Sequence, residues 1–182
     1  ALHEMARLVS GLHDADGRVA APGFYDGVRE PSEHERAEIH SIAYDSSRLL
    51  SEIGAVPHGE KGYSTLERLW LRPTLDVNGM WGGYTGAGSK TVIANEASAK
   101  ITMRLVEGQD PVAAQESVMR HLEANTPEGV RLEFTGERGA SWAYTVPLDH
   151  PLLKAASNAL EATTGMVPRR VRIGASLPLT EI

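Results

Sequence analysis

The stretch TGAGSKTVIANEASAKITMRLV, residues 85–106, opens like a phosphate-binding loop and closes like a β-strand. A phosphate loop needs G-x-x-x-x-G-K-[S/T] with a helix beginning at the Ser or Thr. Here Ser89 separates Gly88 from Lys90, and the residues that follow alternate. Ala97, Ala99, Ile101, Met103 and Leu105 point one way, while Ser98, Lys100, Thr102 and Arg104 point the other. Without a helix there is no row of free amides and no dipole end to cradle phosphate. The segment reads as a half-buried strand with a polar face, and the glycine turn delivers Lys90 and Thr91 to its mouth. Arg104 lies near the far end, so Thr91 and Arg104 need not serve one pocket of the same subunit. A guanidinium on a sheet face suits bidentate capture of a carboxylate. The competing reading is a pair with a surface Asp or Glu.

Working outward, LERLWLRPTLDVNGMWGG, from Leu66, has apolar residues at short spacing, is interrupted by Pro73 and closes on glycines. It is expected to be a second strand. Asp110-Pro111 caps and opens a helix with Ala114, Val118 and Leu122 on its buried side, ended by Thr126-Pro127. VRLEFTG reads as a further strand, followed by a helix from Asp149-His150-Pro151 to Gly165 and a short strand, RRVRIG. Upstream, ALHEMARLVSGL puts Leu2, Met5, Leu8, Val9 and Leu12 on one helical face. Ser32 and Glu35 form a capping box for one long helix whose stripe runs from Ile39 through Leu49 to Ile53, stopped at Gly54. The order gives an α+β fold: most of a split β-α-β unit, an antiparallel sheet with helices on one face.

Composition narrows the chemistry. The 182 residues carry a formal charge of −6, which argues against a nucleic-acid partner, and Arg169–Arg172 is too short a basic run to reverse that. There is no cysteine, hence no disulfide, thiolate metal site or thiol nucleophile. No apolar run approaches the roughly 20 residues that span a bilayer, so no membrane partner is expected and a cytoplasmic protein is. Asp14-x-Asp16-Gly17 fails as an EF-hand, with its glycine and position-12 residue misplaced. His34, His40 and His58 lack ligand spacing and read as solvent-facing. The first helix lacks a cap and the chain stops inside an apolar run, so a piece of a longer polypeptide is expected. GASLPL, residues 174–179, is a tight turn that would let amides and one hydroxyl approach a ligand.

NGMWGGYTGAGSKTVIANEASAKITMRLV resembles the lid, or dimerisation, domain of the metal-dependent aminoacylase, carboxypeptidase and dipeptidase family, near its carnosinase-like dipeptidases. VRIGASLPLTEI is similar to that family's Gly-Gly-Ser-Ile-Pro loop, and GRVAAPGFYDGV and GYSTLERLW fit the dipeptidase branch. The resemblance implies a ferredoxin-like lid over residues 1–146, with a helical insertion at 14–62. It implies that residues 147–182 return to a catalytic domain. It further implies a homodimer, small peptide substrates with a free carboxylate, and a two-zinc centre in the full-length parent. Thr91 matches the position reaching into the partner's active site, Arg104 the carboxylate-binding arginine, and Ser176 the serine holding the substrate backbone; Asn78 is a weaker match. Ala94 replaces the usual proline, and Ala175 the second loop glycine. The family's metal-ligand motifs, His-x-Asp and Glu-Glu, are absent, so no zinc is expected at a designed site and the chain alone is expected to be inert. The alternative is a non-catalytic homodimerisation module. The lid's first strand would also fall upstream of Ala1, so a rearranged or completed sheet is expected.

Overall fold

The computed structural model describes residues 1–136 and 141–174. Its sheet is the antiparallel pair β1 (Thr74–Gly82) and β2 (Ala97–Arg104), with Leu75 opposite Met103 and Thr74 opposite Arg104. Directly opposed residues share a face. Leu75, Ile101 and Met103 therefore look into the core, while Thr74, Asp76, Thr102 and Arg104 look out. The alternation read from β2 holds, and the loop of residues 83–96 is not followed by a helix, as the sequence required. Asn78 has no partner across the ladder; the register steps from Val77 to Gly79 around it, which makes it a β-bulge.

Helices cover the inner face. The first, α1 (Leu2–Ser10), buries Leu8, and Leu12 just beyond it is fully enclosed. The interhelical stripe Ala114, Val118 and Leu122 comes from α5 (Pro111–Ala124), whose cap Asp110 accepts from the amides of Val112 and Ala113. Val19, Ala21 and Phe24 complete this core. The last helix, α6 (Pro151–Thr164), starts at His150-Pro151 and stops at Gly165 in the left-handed region, as expected.

Four element readings change. The long helix from Ser32 is two: α2 (Glu33–His40), with the Ser32–Glu35 capping box in place, and α3 (Ser46–Glu52). The break falls where the Ser41 hydroxyl donates to the Glu38 carbonyl and Asp45 starts a new helix by accepting from the Arg48 amide. Residues 65–71 are not strand but α4 (Thr65–Leu71), because Ser64 and Glu67 cap each other reciprocally. Its apolar density faces a second cluster with Ile39 rather than a sheet. VRLEFTG is not a strand, although Leu132 and Phe134 still pack on the core. RRVRIG joins no ladder either. Among the described residues the sheet has two strands, and the class remains α+β.

The segment between α1 and α4 is fastened by charge. Arg72, 2% exposed at its side chain, donates from Nε and Nη2 to both oxygens of Glu60 at 2.8 Å. Arg18 reaches the same carboxylate at 3.0 Å, and the Arg72 guanidinium lies 4.4 Å from the Tyr63 ring centroid. Glu30 accepts from Arg72 and from the Tyr63 hydroxyl, which burial and Glu30 push up to about 12. Removing one member of such a buried pair costs about 3–5 kcal/mol, because the other charge stays buried. A second fastening is backbone on backbone. Gly27 and Gly108 both have positive φ, and a Cβ on either would collide with the other's carbonyl oxygen.

Candidate carboxylate-binding groove

Arg104 ends β2 on the outer face, where strand alternation points its side chain away from the apolar core. It lines an open groove of about 790 Å³ together with Arg29, Glu35, Arg172 and Gly174. Among the described residues Arg104 makes no ion pair and no side-chain hydrogen bond, so the competing pair with a surface Asp or Glu is not found among them. A Cβ on Gly174 would sit 3.0 Å from the Leu69 carbonyl oxygen and 3.8 Å from Cδ of Arg104. The C-terminal arm therefore passes directly over the arginine, and the bare glycine permits the approach. What results is a charged, two-pronged donor in a partly walled depression, the chemistry that a carboxylate fits.

The wall opposite is built around Glu35. Arg29 donates to it from Nη1 and Nη2 at 2.6 and 2.5 Å, and Arg172 from Nη2 at 3.2 Å. The Ser32 amide and hydroxyl add bonds at 3.0 and 3.1 Å. The Arg29 hydrogen bonds, against partial burial and with help from Ser32, hold the Glu35 carboxyl down to about 2. Arg170 and Arg169 follow the same path along α2, to Glu38 at 3.9 Å and to the Ser41 hydroxyl at 2.9 Å. The basic run thus spends its charge inside the molecule.

Thr91 is exposed in the loop between the strands, at the opposite end of the hairpin from Arg104. The strand between them, β2, spans about 23 Å at 3.3 Å per residue, and Thr91 is not among the residues that line the groove with Arg104. Asn78 is exposed at the bulge, midway along β1. Ser176 lies outside the described residues. The sequence reading missed Arg29, Glu35 as a bridge, and Arg172. A signal was present in the acidic EHERAEIH of α2 matched in sign by RRVR, but nothing local told that the two meet. Among the described residues no three His, Cys, Asp or Glu side chains converge as metal ligands. No helix there is long and apolar enough to cross a membrane.

The described residues thus form an α+β unit with a polar sheet face and a wide hairpin loop. Residues 1–130 match the profile of the peptidase dimerisation domain M20_dimer, and the chain belongs to that family. It is 28% identical to the Cys-Gly metallodipeptidase dug1 of Schizosaccharomyces pombe over 184 residues, 97% of this chain and 38% of that protein. It is 28% identical to the human Beta-Ala-His dipeptidase over 198 residues, 100% of this chain and 37% of that protein. Among solved structures, an M20 family metallo-carboxypeptidase from Sulfolobus solfataricus superposes with a TM-score of 0.77 at 31% identity, over 98% of this chain and 40% of its own. Human carnosine dipeptidase 1 gives 0.77 at 24% identity, over 99% and 39%, which speaks to the fold. The chain spans about two fifths of the length of these relatives.

Proposed function

We propose that this chain is the lid and dimerisation portion of a metal-dependent dipeptidase, working as a homodimer on small peptides that carry a free carboxylate. The guanidinium of Arg104, which lines the groove and has no ion-pair partner among the described residues, is the observation that supports the reading most. Arg104 grips the substrate carboxylate. Thr91, on the hairpin loop far from it, serves the partner subunit's site, and Ser176 holds the substrate backbone. Asn78, projected by the bulge, is an auxiliary contact. The division at residue 146, with 14–62 as an insertion, belongs to the same reading. So does a cytoplasmic location. The two zinc ions of such an enzyme find no ligand set among the described residues here, so no part of the metal chemistry is assigned to them.

The test uses the complete polypeptide that carries this chain. Cys-Gly and β-Ala-His are the dipeptides to assay, taken from the names of the relatives. Arg104→Ala should lower kcat/KM for either by about 100-fold, some 2.7 kcal/mol of lost charge-assisted bonding. The corresponding C-terminal amides should lose almost nothing, so selectivity for the free acid collapses. If free acid and amide respond alike to Arg104→Ala, carboxylate recognition belongs elsewhere and a plain self-association module remains.

A further inference from the structure

Glu35 performs two tasks that can be separated chemically. As the third helical residue of α2 it caps the helix, accepting from Ser32. As an anion it bridges Arg29, from the segment before α2, to Arg172 on the C-terminal arm. Its side chain is only 12% exposed, while those of Arg29 and Arg172 are 58% and 30% exposed, so the bridge is buried at its carboxylate and open at its arginines. Two residues beyond Arg172 the arm reaches Gly174, whose position is pinned between the Leu69 carbonyl and the Arg104 side chain. Arg169 and Arg170 also reach α2, at the Ser41 hydroxyl and at Glu38, but the Arg172 contact is the one next to Gly174. Neither Val171 nor Ile173 is buried, and α6, which precedes them, buries no residue.

We propose that Glu35 is a positioning residue: by clamping Arg172 it holds the 172–174 segment over Arg104 and so sets how tightly the groove takes a carboxylate. This deepens the proposed function and rests on it. Glu35 touches no substrate; it acts through the arm. Loss of the clamp should let the wall of the groove drift, costing binding common to ground and transition states, which appears in KM rather than kcat.

The variant is Glu35→Gln, since glutamine retains the capping acceptor while losing the charge. Arg172→Met is a parallel variant that leaves the cap untouched, should Glu35→Gln fold poorly. In the complete polypeptide assayed with Cys-Gly, each should raise KM by about tenfold with kcat within about twofold. In an Arg104→Ala background neither should add a further loss, because the group they position is gone. A loss that is the same in both backgrounds, or no change in KM, overturns the positioning role while leaving Arg104 as carboxylate ligand. If Arg104→Ala alone changes nothing, the groove is not the carboxylate site and both readings fall.

Discussion

At the scale of the residue, Glu35 and Glu67 illustrate how one side-chain type serves as cap and as counter-ion at once. Each completes a capping box, and each also faces an arginine, Arg29 for the first and Arg36, at 2.7 Å, for the second. Glu67 is 1% exposed; burial works against its charge, but Ser64 and Arg36 outweigh it and its carboxyl is lowered. For Glu35 the folded value is about 2 against an ordinary 4.5. A depressed carboxyl stabilises the fold above the unfolded value and loses that contribution as pH falls through the folded one. The melting temperature of the chain, followed by circular dichroism, should therefore decline between about pH 5 and pH 2, and Glu35→Gln should flatten part of that decline. A Glu35→Gln curve parallel to the parent's would mean the bridge carries no stability.

At the scale of the element, α4 is the most informative piece, because its seven residues are short for a helix and depend on their start. Ser64→Ala removes the Oγ acceptor for the Glu67 amide and breaks the reciprocal box, leaving only the Ser64 backbone amide to donate to the buried Glu67 carboxylate. We expect a loss of about 1–2 kcal/mol, read as a shift in the urea midpoint at constant slope. The S-x-x-E that directs this helix stands in the sequence, yet the run of Leu66, Leu69, Trp70 and Leu71 reads as strand when apolar spacing is weighed first. Where a cap and a clean period agree, as at Asp110-Pro111, at Asp149–Gly165 and along β2, sequence and structure coincide. VRLEFTG alternates correctly and its Leu132 and Phe134 find the core, but pairing needs a neighbour that no local pattern specifies. The groove was legible only in part. Alternation placed Arg104 on the wet face, whereas its walls come from Arg29, Glu35 and Gly174, far away in the chain and joined only by folding.

At the scale of the whole molecule, the separation of Thr91 from Arg104 makes a prediction about pairs of chains. If each site takes Arg104 from one subunit and Thr91 from its partner, the double defect can be complemented. Thr91→Ala and Arg104→Ala homodimers of the complete polypeptide should each be weak on Cys-Gly. After mixing under conditions that exchange subunits, half the dimers are hybrids, and each hybrid holds one intact site. Activity should return to about a quarter of the parent's. No recovery after exchange has been verified by mass would place both residues in a single subunit's site or remove Thr91 from it. Glu60, Arg72 and the Gly27–Gly108 contact fasten the segment between α1 and α4, whose Arg29 and Glu35 line the groove together with Arg172 of the arm.

The unpaired residue in β1 has a consequence for chain length. Val77 faces Ile101 and Gly79 faces Lys100, so excising Asn78 would leave the two neighbours matched as they already are, with Met80 and Trp81 still on their present sides. A one-residue cut in β2, which has no spare, would instead reverse the facing of everything beyond it. The Asn78 deletion should melt within a few degrees, about 5 °C, of the parent. The strand was written one letter longer than its ladder requires, and that surplus letter is free to be spent on chemistry.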